Sequence, residues 1–123
     1  GAAHRLVSSD DVADGEMILD AGAESVAAAM AFLDRCSTIV WNGPMGAFEI
    51  PPFDAATTAL ARAVAAKTQN DGVMSVAGGG DTMAALANAG VNDQFSYVST
   101  AGGAFLEWLE GKRLPGVEAL RID

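Results

Sequence analysis

Three glycine-rich stretches carry the residues of this 123-residue chain best suited to chemistry: Asn42-Gly43-Pro44-Met45-Gly46-Ala47-Phe48-Glu49, Gly78-Gly79-Gly80-Asp81-Thr82 and Ser99-Thr100-Ala101-Gly102-Gly103. Each follows a short apolar run. Glycines at strand-to-helix turns let the backbone come within hydrogen-bonding range of phosphate oxygens, and the helix behind each turn offers free N–H groups and the positive end of its dipole. A hydrogen bond to a charged oxygen contributes about 1.5–3 kcal/mol. A few such donors hold a phosphate without any lysine. Neither named phosphate motif is present, because Gly78-Gly79-Gly80-Asp81-Thr82-Met83 does not read G-x-G-x-x-G and no G-K-[ST] occurs. The residues alone therefore reach a phosphate or nucleotide site and stop short of a reaction.

The elements around these stretches alternate. Ala23 to Arg35 reads as a helix with Val26, Met30 and Leu33 on one face, followed by the strand Thr38–Trp41. A helix from Asp54, a good N-cap, to Lys67 turns Leu60 and Val64 inward. After the turn Gln69–Gly72 comes the apolar strand Val73–Ala77, then a helix capped by Asp81 or Thr82 and ending near Gly90. Ser96–Ser99 is the third strand, and the last helix carries Phe105, Leu106 and Leu109 inward before Gly111. The first twenty residues read as short strands, Arg5–Ser8 and Glu16–Asp20, about the turn Ala13-Asp14-Gly15. Alternating strands and helices predict an α/β fold with a parallel sheet, and strands apolar without alternation predict cover on both faces. Ligands of such sheets bind beyond the carboxyl ends of the strands, where the three glycine stretches lie. Three strands are few for a free-standing domain of this type, so the chain reads as half of a doubly wound one.

Composition narrows the partners. Half the residues are apolar, mean hydropathy is +0.24, and 39 of 123 are Ala or Gly, which excludes wholesale disorder and favours close packing of helices on a sheet. Seven basic residues against sixteen acidic ones give a net charge of −9 with no basic stripe, which argues against a nucleic-acid binder. Cys36 has no partner for a disulfide, and with His4 alone it cannot build a zinc site. The five scattered methionines read as core fillers. The longest apolar stretch, Val26 to Leu33, is too short to span a bilayer, and the N-terminus lacks a signal-peptide pattern. A cytoplasmic protein is expected, although the N-terminus of a fragment says nothing about targeting.

At the same glycine stretches the sequence resembles a known family. Val40-Trp41-Asn42-Gly43-Pro44-Met45-Gly46-Ala47-Phe48-Glu49 resembles the W-N-G-P-x-G-x-F-E segment of phosphoglycerate kinases, and Gly78-Gly79-Gly80-Asp81-Thr82 is similar to their G-G-G-D-T. Val98 through Val117 resembles their S-T-G-G-G-A…L-E-G-K-x-L-P-G-V. Three long motifs in the family's order are far more specific than a lone glycine signature. The resemblance spans residues 1–123 as about the last third of a family member, the C-terminal half of its Rossmann-like nucleotide-binding domain.

The resemblance implies reversible phosphoryl transfer between 1,3-bisphosphoglycerate and ADP, giving 3-phosphoglycerate and MgATP in glycolysis. It implies that Glu49 holds the ribose hydroxyls, that Asn42 lies near the nucleotide phosphates, and that Gly43, Pro44 and Gly46 line the nucleoside pocket. A carboxylate suits a diol because it accepts two O–H bonds; the bland reading is a solvated loop charge. Asp81 matches the aspartate that binds the nucleotide's Mg²⁺, a cation that reluctantly sheds water and needs few protein ligands. The bland reading of Asp81 is a helix cap, and both can hold. Thr82 matches a hydroxyl that meets phosphate, beside Gly78, Gly79 and Gly80, which alternatively serve close packing. Gly102 and Gly103 match backbone donors to the phosphoryl group in transit. Ala101 departs from the family's three glycines and lacks their easy access to positive φ.

The family's basic substrate-binding residues lie outside this segment, so the 123 residues alone are expected to be inactive as a kinase. The half-sheet is expected to expose an unpaired edge that invites self-association. A truncated, non-catalytic nucleotide-binding or structural module is the competing reading. A dehydrogenase domain stands third, since the dinucleotide fingerprint is absent.

Overall fold

The computed structural model describes residues 3–122. Its elements run α1 (Ala23–Leu33), β1 (Thr38–Asn42), α2 (Ala55–Asn70), β2 (Met74–Gly78), α3 (Gly80–Ala89), β3 (Tyr97–Ser99), α4 (Gly102–Leu109) and α5 (Pro115–Glu118). The strands form one parallel sheet in the order β1-β2-β3. Register brings the three C-terminal ends level: Asn42 pairs with Gly78, and Gly78 with Ser99. The fold is α/β, as the alternation of strands and helices predicts.

One face of the sheet is covered and the other is largely bare. Ile39, Trp41 and Ala77 are buried in a core shared with Leu60, Ala61 and Val64 of α2 and Leu86 and Ala89 of α3. Val26, Ala29, Met30 and Leu33 of α1 pack against the same core. The alternating residues Thr38, Val40, Met74 and Tyr97 are exposed. This corrects the expectation of burial on both faces. All three long helices lie on one side, and the other side receives only the rim of α4, whose Phe105 ring lies 3.0 Å from where a Gly78 Cβ would stand. The buried Ser75 ties β2 to its surroundings: its Oγ meets Thr68 Oγ1 at 2.7 Å and accepts the Ser96 amide, while its own amide donates to Ser96 Oγ.

The N-terminal segment corrects a second expectation. Among the described residues, 3–22 contain no strand, only a 3₁₀ turn at Ser9–Asp11. An apolar run becomes a strand only beside a partner, and none borders these residues. They are held instead by polar contacts, with Arg5 donating through Nε and Nη2 to both Glu16 carboxylate oxygens at 2.7 Å. That pairing, helped by the Ala13 amide, lowers the Glu16 carboxyl from its ordinary 4.5 to about 2.

Helix starts differ from the sequence expectation as well. Asp54 occupies the position before α2, but its side chain makes no capping bond. The carboxylate that accepts from the α2 N-terminus belongs to Asp20, whose Oδ2 takes the Ala56 N–H at 3.1 Å. Asp81 and Thr82 do not cap α3, which begins one residue earlier at Gly80, after Gly79 at φ 106°. At its far end Gly90 supplies the expected left-handed stop, with φ 76°. Of the three α4 residues expected to point inward, only Phe105 is half-buried, while Leu106 and Leu109 are exposed.

Candidate functional site

The level strand ends bring the three glycine stretches together. Trp41 anchors the first from beneath, its Nε1–H donating to the Gly43 carbonyl. The chain then leaves β1 with Gly43 at φ 88°, a left-handed turn open to glycine. Its amide donates to Thr82 Oγ1 at 2.7 Å, bridging the loop after β1 to α3. The Met45 amide donates to Thr57 Oγ1 of α2 at 3.0 Å, and the Ala47 amide to the Leu19 carbonyl at 2.8 Å. Three alternate amides of one loop are thus tied to three separate parts of the chain.

The second and third stretches are joined backbone to backbone. The Gly79 amide donates to the Ser99 carbonyl at 2.8 Å. A Cβ on Gly102 would stand 2.7 Å from Gly79 Cα, 3.2 Å from Gly79 N and 3.6 Å from Asn42 Oδ1. Gly79 faces the same group from the other side, its missing Cβ lying 3.6 Å from Gly102 Cα and Thr82 Oγ1 and 3.8 Å from Asn42 Oδ1. Asn42, Gly43, Gly79, Thr82 and Gly102 therefore form one cluster at the carboxyl end of the sheet, with Gly78 in the row below.

Donors remain open around it. The first intrahelical bond of α3 is Met83 N–H to Gly79 O, so the amides of Gly80, Asp81 and Thr82 are left for an outside acceptor. In α4 the first bond is Phe105 N–H to Ala101 O, which leaves Gly103 and Ala104. The Gly102 amide is turned back onto the Thr100 carbonyl at 3.1 Å. Gly103, rather than Gly102, is thus the free donor of the predicted pair. Two helix N-termini aimed from neighbouring strand ends make a setting for anionic oxygens.

Among the described residues neither carboxylate of the site takes part in a hydrogen bond or ion pair. Asp81 is exposed in the first turn of α3. Glu49 is exposed in the turn closed by Ile50 N–H to Ala47 O, and it takes no part in the hydrogen bonds that join the loops. Thr82 is 1% exposed, with its oxygen already accepting from Gly43; its hydroxyl proton remains for a second partner. Pro44 and Gly43 border an apolar groove of about 290 Å³ along the free edge of β1, floored by Leu33, Trp41, Leu60 and Val64. Gly46 packs against Leu19 and Asp20, its missing Cβ only 2.5 Å from the Leu19 carbonyl oxygen and from Asp20 Oδ1. Ala101 sits at φ −88°, so alanine there needs no left-handed backbone. Among the described residues no three His, Cys, Asp or Glu side chains gather to hold a metal. A cation here would have to arrive with most of its ligands, which suits Mg²⁺ on a polyphosphate. None of the seven basic residues lies in the three stretches.

Asp20 escaped the sequence reading. Its partners are Ala21, next in the chain, and Ala56, 36 residues away. The Leu19-Asp20-Ala21-Gly22 stretch before α1 carries no local sign of the second contact.

Comparison with known proteins points one way. A family model described as phosphoglycerate kinase matches residues 1–112. A phosphoglycerate kinase of Xanthobacter autotrophicus is 68% identical over 120 residues, covering 98% of this chain and 30% of that protein. One from Xanthobacter flavus is 66% identical over the same share. The structure of phosphoglycerate kinase from Coxiella burnetii superposes with a TM-score of 0.78 at 51% identity, covering 89% of this chain and 27% of that one. The chain thus spans about 30% of the length of the curated relatives it matches.

Proposed function

Because the chain belongs to the phosphoglycerate kinase family, we propose that its 123 residues are the C-terminal part of a glycolytic kinase and carry the nucleotide end of its site. The parent's reaction is phosphoryl transfer between 1,3-bisphosphoglycerate and ADP, yielding 3-phosphoglycerate and ATP in the cytoplasm. The observation that carries this reading is the convergence of Asn42, Gly79, Thr82 and Gly102 beneath five open amides on two helix N-termini. A site without lysine or arginine, rich in backbone donors, suits the phosphates of a nucleotide that it must bind and release.

In this assignment the amides of Gly80, Asp81 and Thr82 face one phosphate, and those of Gly103 and Ala104 face the phosphoryl group in transit. Such donors are fixed before the reaction begins, so they stabilise developing charge without reorganising. Asn42 presents its Oδ1 side to the Gly79–Gly102 contact, which leaves its amide group to orient a phosphate oxygen or bound water. Glu49, unpaired and exposed, accepts the two ribose hydroxyls. Asp81 would hold Mg²⁺, which neutralises phosphate charge when bound. The basic residues required to complete charge neutralisation, and the pocket for the three-carbon substrate, belong to the remainder of the parent. Closure of the two halves excludes water from the reacting groups. No nucleic acid or membrane partner is part of this reading, and among the described residues no helix is long and apolar enough to cross a membrane. The isolated chain is free to self-associate through its open edge and bare face.

The parent and the isolated chain are compared in a coupled assay for ATP formation from 1,3-bisphosphoglycerate. The parent turns over and the chain does not, since losing cationic groups from a phosphoryl-transfer site costs about 10³–10⁵ in rate. In the parent, Asp81→Asn weakens MgADP binding by calorimetry more than binding of metal-free ADP. Equal losses with and without Mg²⁺ would remove the metal role. A parent that neither binds ADP nor turns over would leave the chain a structural module.

A further inference from the structure

We infer that Asp20 is a positioning residue for the nucleotide loop, an inference that rests on the nucleotide reading above. Its carboxylate joins its own segment to α2: Oδ1 accepts the amide of Ala21, next in the chain, at 2.9 Å, and Oδ2 accepts the Ala56 amide, in the first turn of α2, at 3.1 Å. The preceding carbonyl, Leu19 O, takes the Ala47 amide at 2.8 Å. Gly46 is wedged between them so tightly that a Cβ would lie 2.5 Å from both Leu19 O and Asp20 Oδ1. The loop that ends in Glu49 is thereby clamped between residues 19–20 and α2.

The chemistry favours a clamp over an ordinary helix cap. The residue in the usual capping place, Asp54, makes no such bond, so α2 draws its acceptor from a segment 36 residues earlier in the chain. An anion at a helix N-terminus is favourable by charge and dipole together. The same α2 supplies Thr57, which holds Met45. Releasing Asp20 therefore unpins residues 19–20 from α2, so that the Leu19 carbonyl and the Gly46–Ala47 turn seated on it can shift, while the loop's ties to Thr57 and Thr82 persist. The loop loses its seat at Gly46 and Ala47, between the ties and Glu49. Nucleotide contacts should weaken, whereas the pocket for the three-carbon substrate, which this loop does not form, should not.

In the parent kinase, Asp20→Ala should raise KM and Kd for ADP about tenfold, as much as the free energy of the charge-assisted bond to α2 that it removes. The KM for the three-carbon substrate and kcat should change less than about threefold. Asp20→Asn keeps one acceptor oxygen and should fall between wild type and Asp20→Ala, and Asp54→Ala, which removes a side chain without a capping bond, should bind ADP as wild type does. Amide exchange at Ala47 and Ala56 should accelerate in Asp20→Ala. An ADP affinity no lower than that of Asp54→Ala, or equal losses for both substrates, would reduce Asp20 to a structural cap. Accelerated exchange in Asp20→Ala, together with a wild-type parent that binds no ADP, would keep the clamp and sink the nucleotide reading; unchanged exchange in Asp20→Ala would sink the clamp itself.

Discussion

The loop after β1 and the pair of turns after β2 and β3 reach the same place by opposite means. The first is shaped by acceptors that capture its amides: the Thr82 and Thr57 hydroxyls take Gly43 and Met45, and the Leu19 backbone carbonyl beside Asp20 takes Ala47. The other two are shaped by side chains that are missing, with Gly79 and Gly102 nearly in backbone contact. One half of the site can be damaged by removing atoms. The close approach in the other half is damaged by adding them.

The largest effect should come from Gly102→Ala. Its new Cβ would meet Gly79 Cα at 2.7 Å, and backbone cannot swing aside as a flexible side chain can. The strain costs about 1–3 kcal/mol. A shift of the α4 N-terminus by a fraction of an ångström to an ångström should lower kcat/KM of the parent about 10²-fold. Steady-state kinetics with both substrates checks it, and wild-type behaviour would mean that the two turns are not in contact.

A smaller loss should follow from Thr82→Val, a nearly isosteric change that leaves the Gly43 amide without its acceptor. An unpaired buried donor costs about 1–3 kcal/mol. Urea unfolding should register that loss, with ADP affinity falling by roughly the same free energy if the freed loop moves. Full affinity would mean that Gly43 finds another acceptor without moving.

The comparison also explains what could be read from the chain before the fold was known. Glycine turns and apolar runs are local signals, so β1, β2, β3 and the helices between them fall within about three residues of expectation. The meeting of the glycine stretches at the strand ends was legible too, and the proposal of a phosphate site rests on it. What was not legible depends on distant residues. Arg5–Ser8 and Glu16–Asp20 look like strands but find no neighbouring strand. Val40, Met74 and Tyr97 are apolar like their buried neighbours, and nothing local tells which face a helix will cover. Asp54 stands where a cap belongs, yet Asp20 does the capping from across the fold. Thr82 looks like a ligand hydroxyl or a cap; its observed partner, Gly43, is 39 residues away. The role proposed for Glu49 rests on the motif around it rather than on any contact.

The smallest effect should come from Ala101→Gly, which restores the three glycines of the motif that this stretch resembles. Ala101 already sits at φ −88°, where alanine is unstrained. The change should destabilise by less than about 1 kcal/mol through added freedom of the unfolded chain, and ADP affinity should stay within about twofold of wild type. A large gain in affinity would mean that this turn adopts a left-handed conformation when the nucleotide binds.

The indole of Trp41 lies 7% exposed under the first loop, edge-on to Phe95 and donating to the Gly43 carbonyl, while Trp108 on α4 is 58% exposed. The two chromophores therefore sit in unlike solvents, one dry and one wet. Emission from the dry indole is blue-shifted and shielded from aqueous quenchers, and emission from the wet one is red-shifted and readily quenched. With iodide suppressing Trp108, the residual light comes from a ring bonded directly to the loop that the nucleotide would touch. The chain thus contains a built-in optical probe of the loop after β1, one that needs no label and responds to displacement of the Gly43 carbonyl.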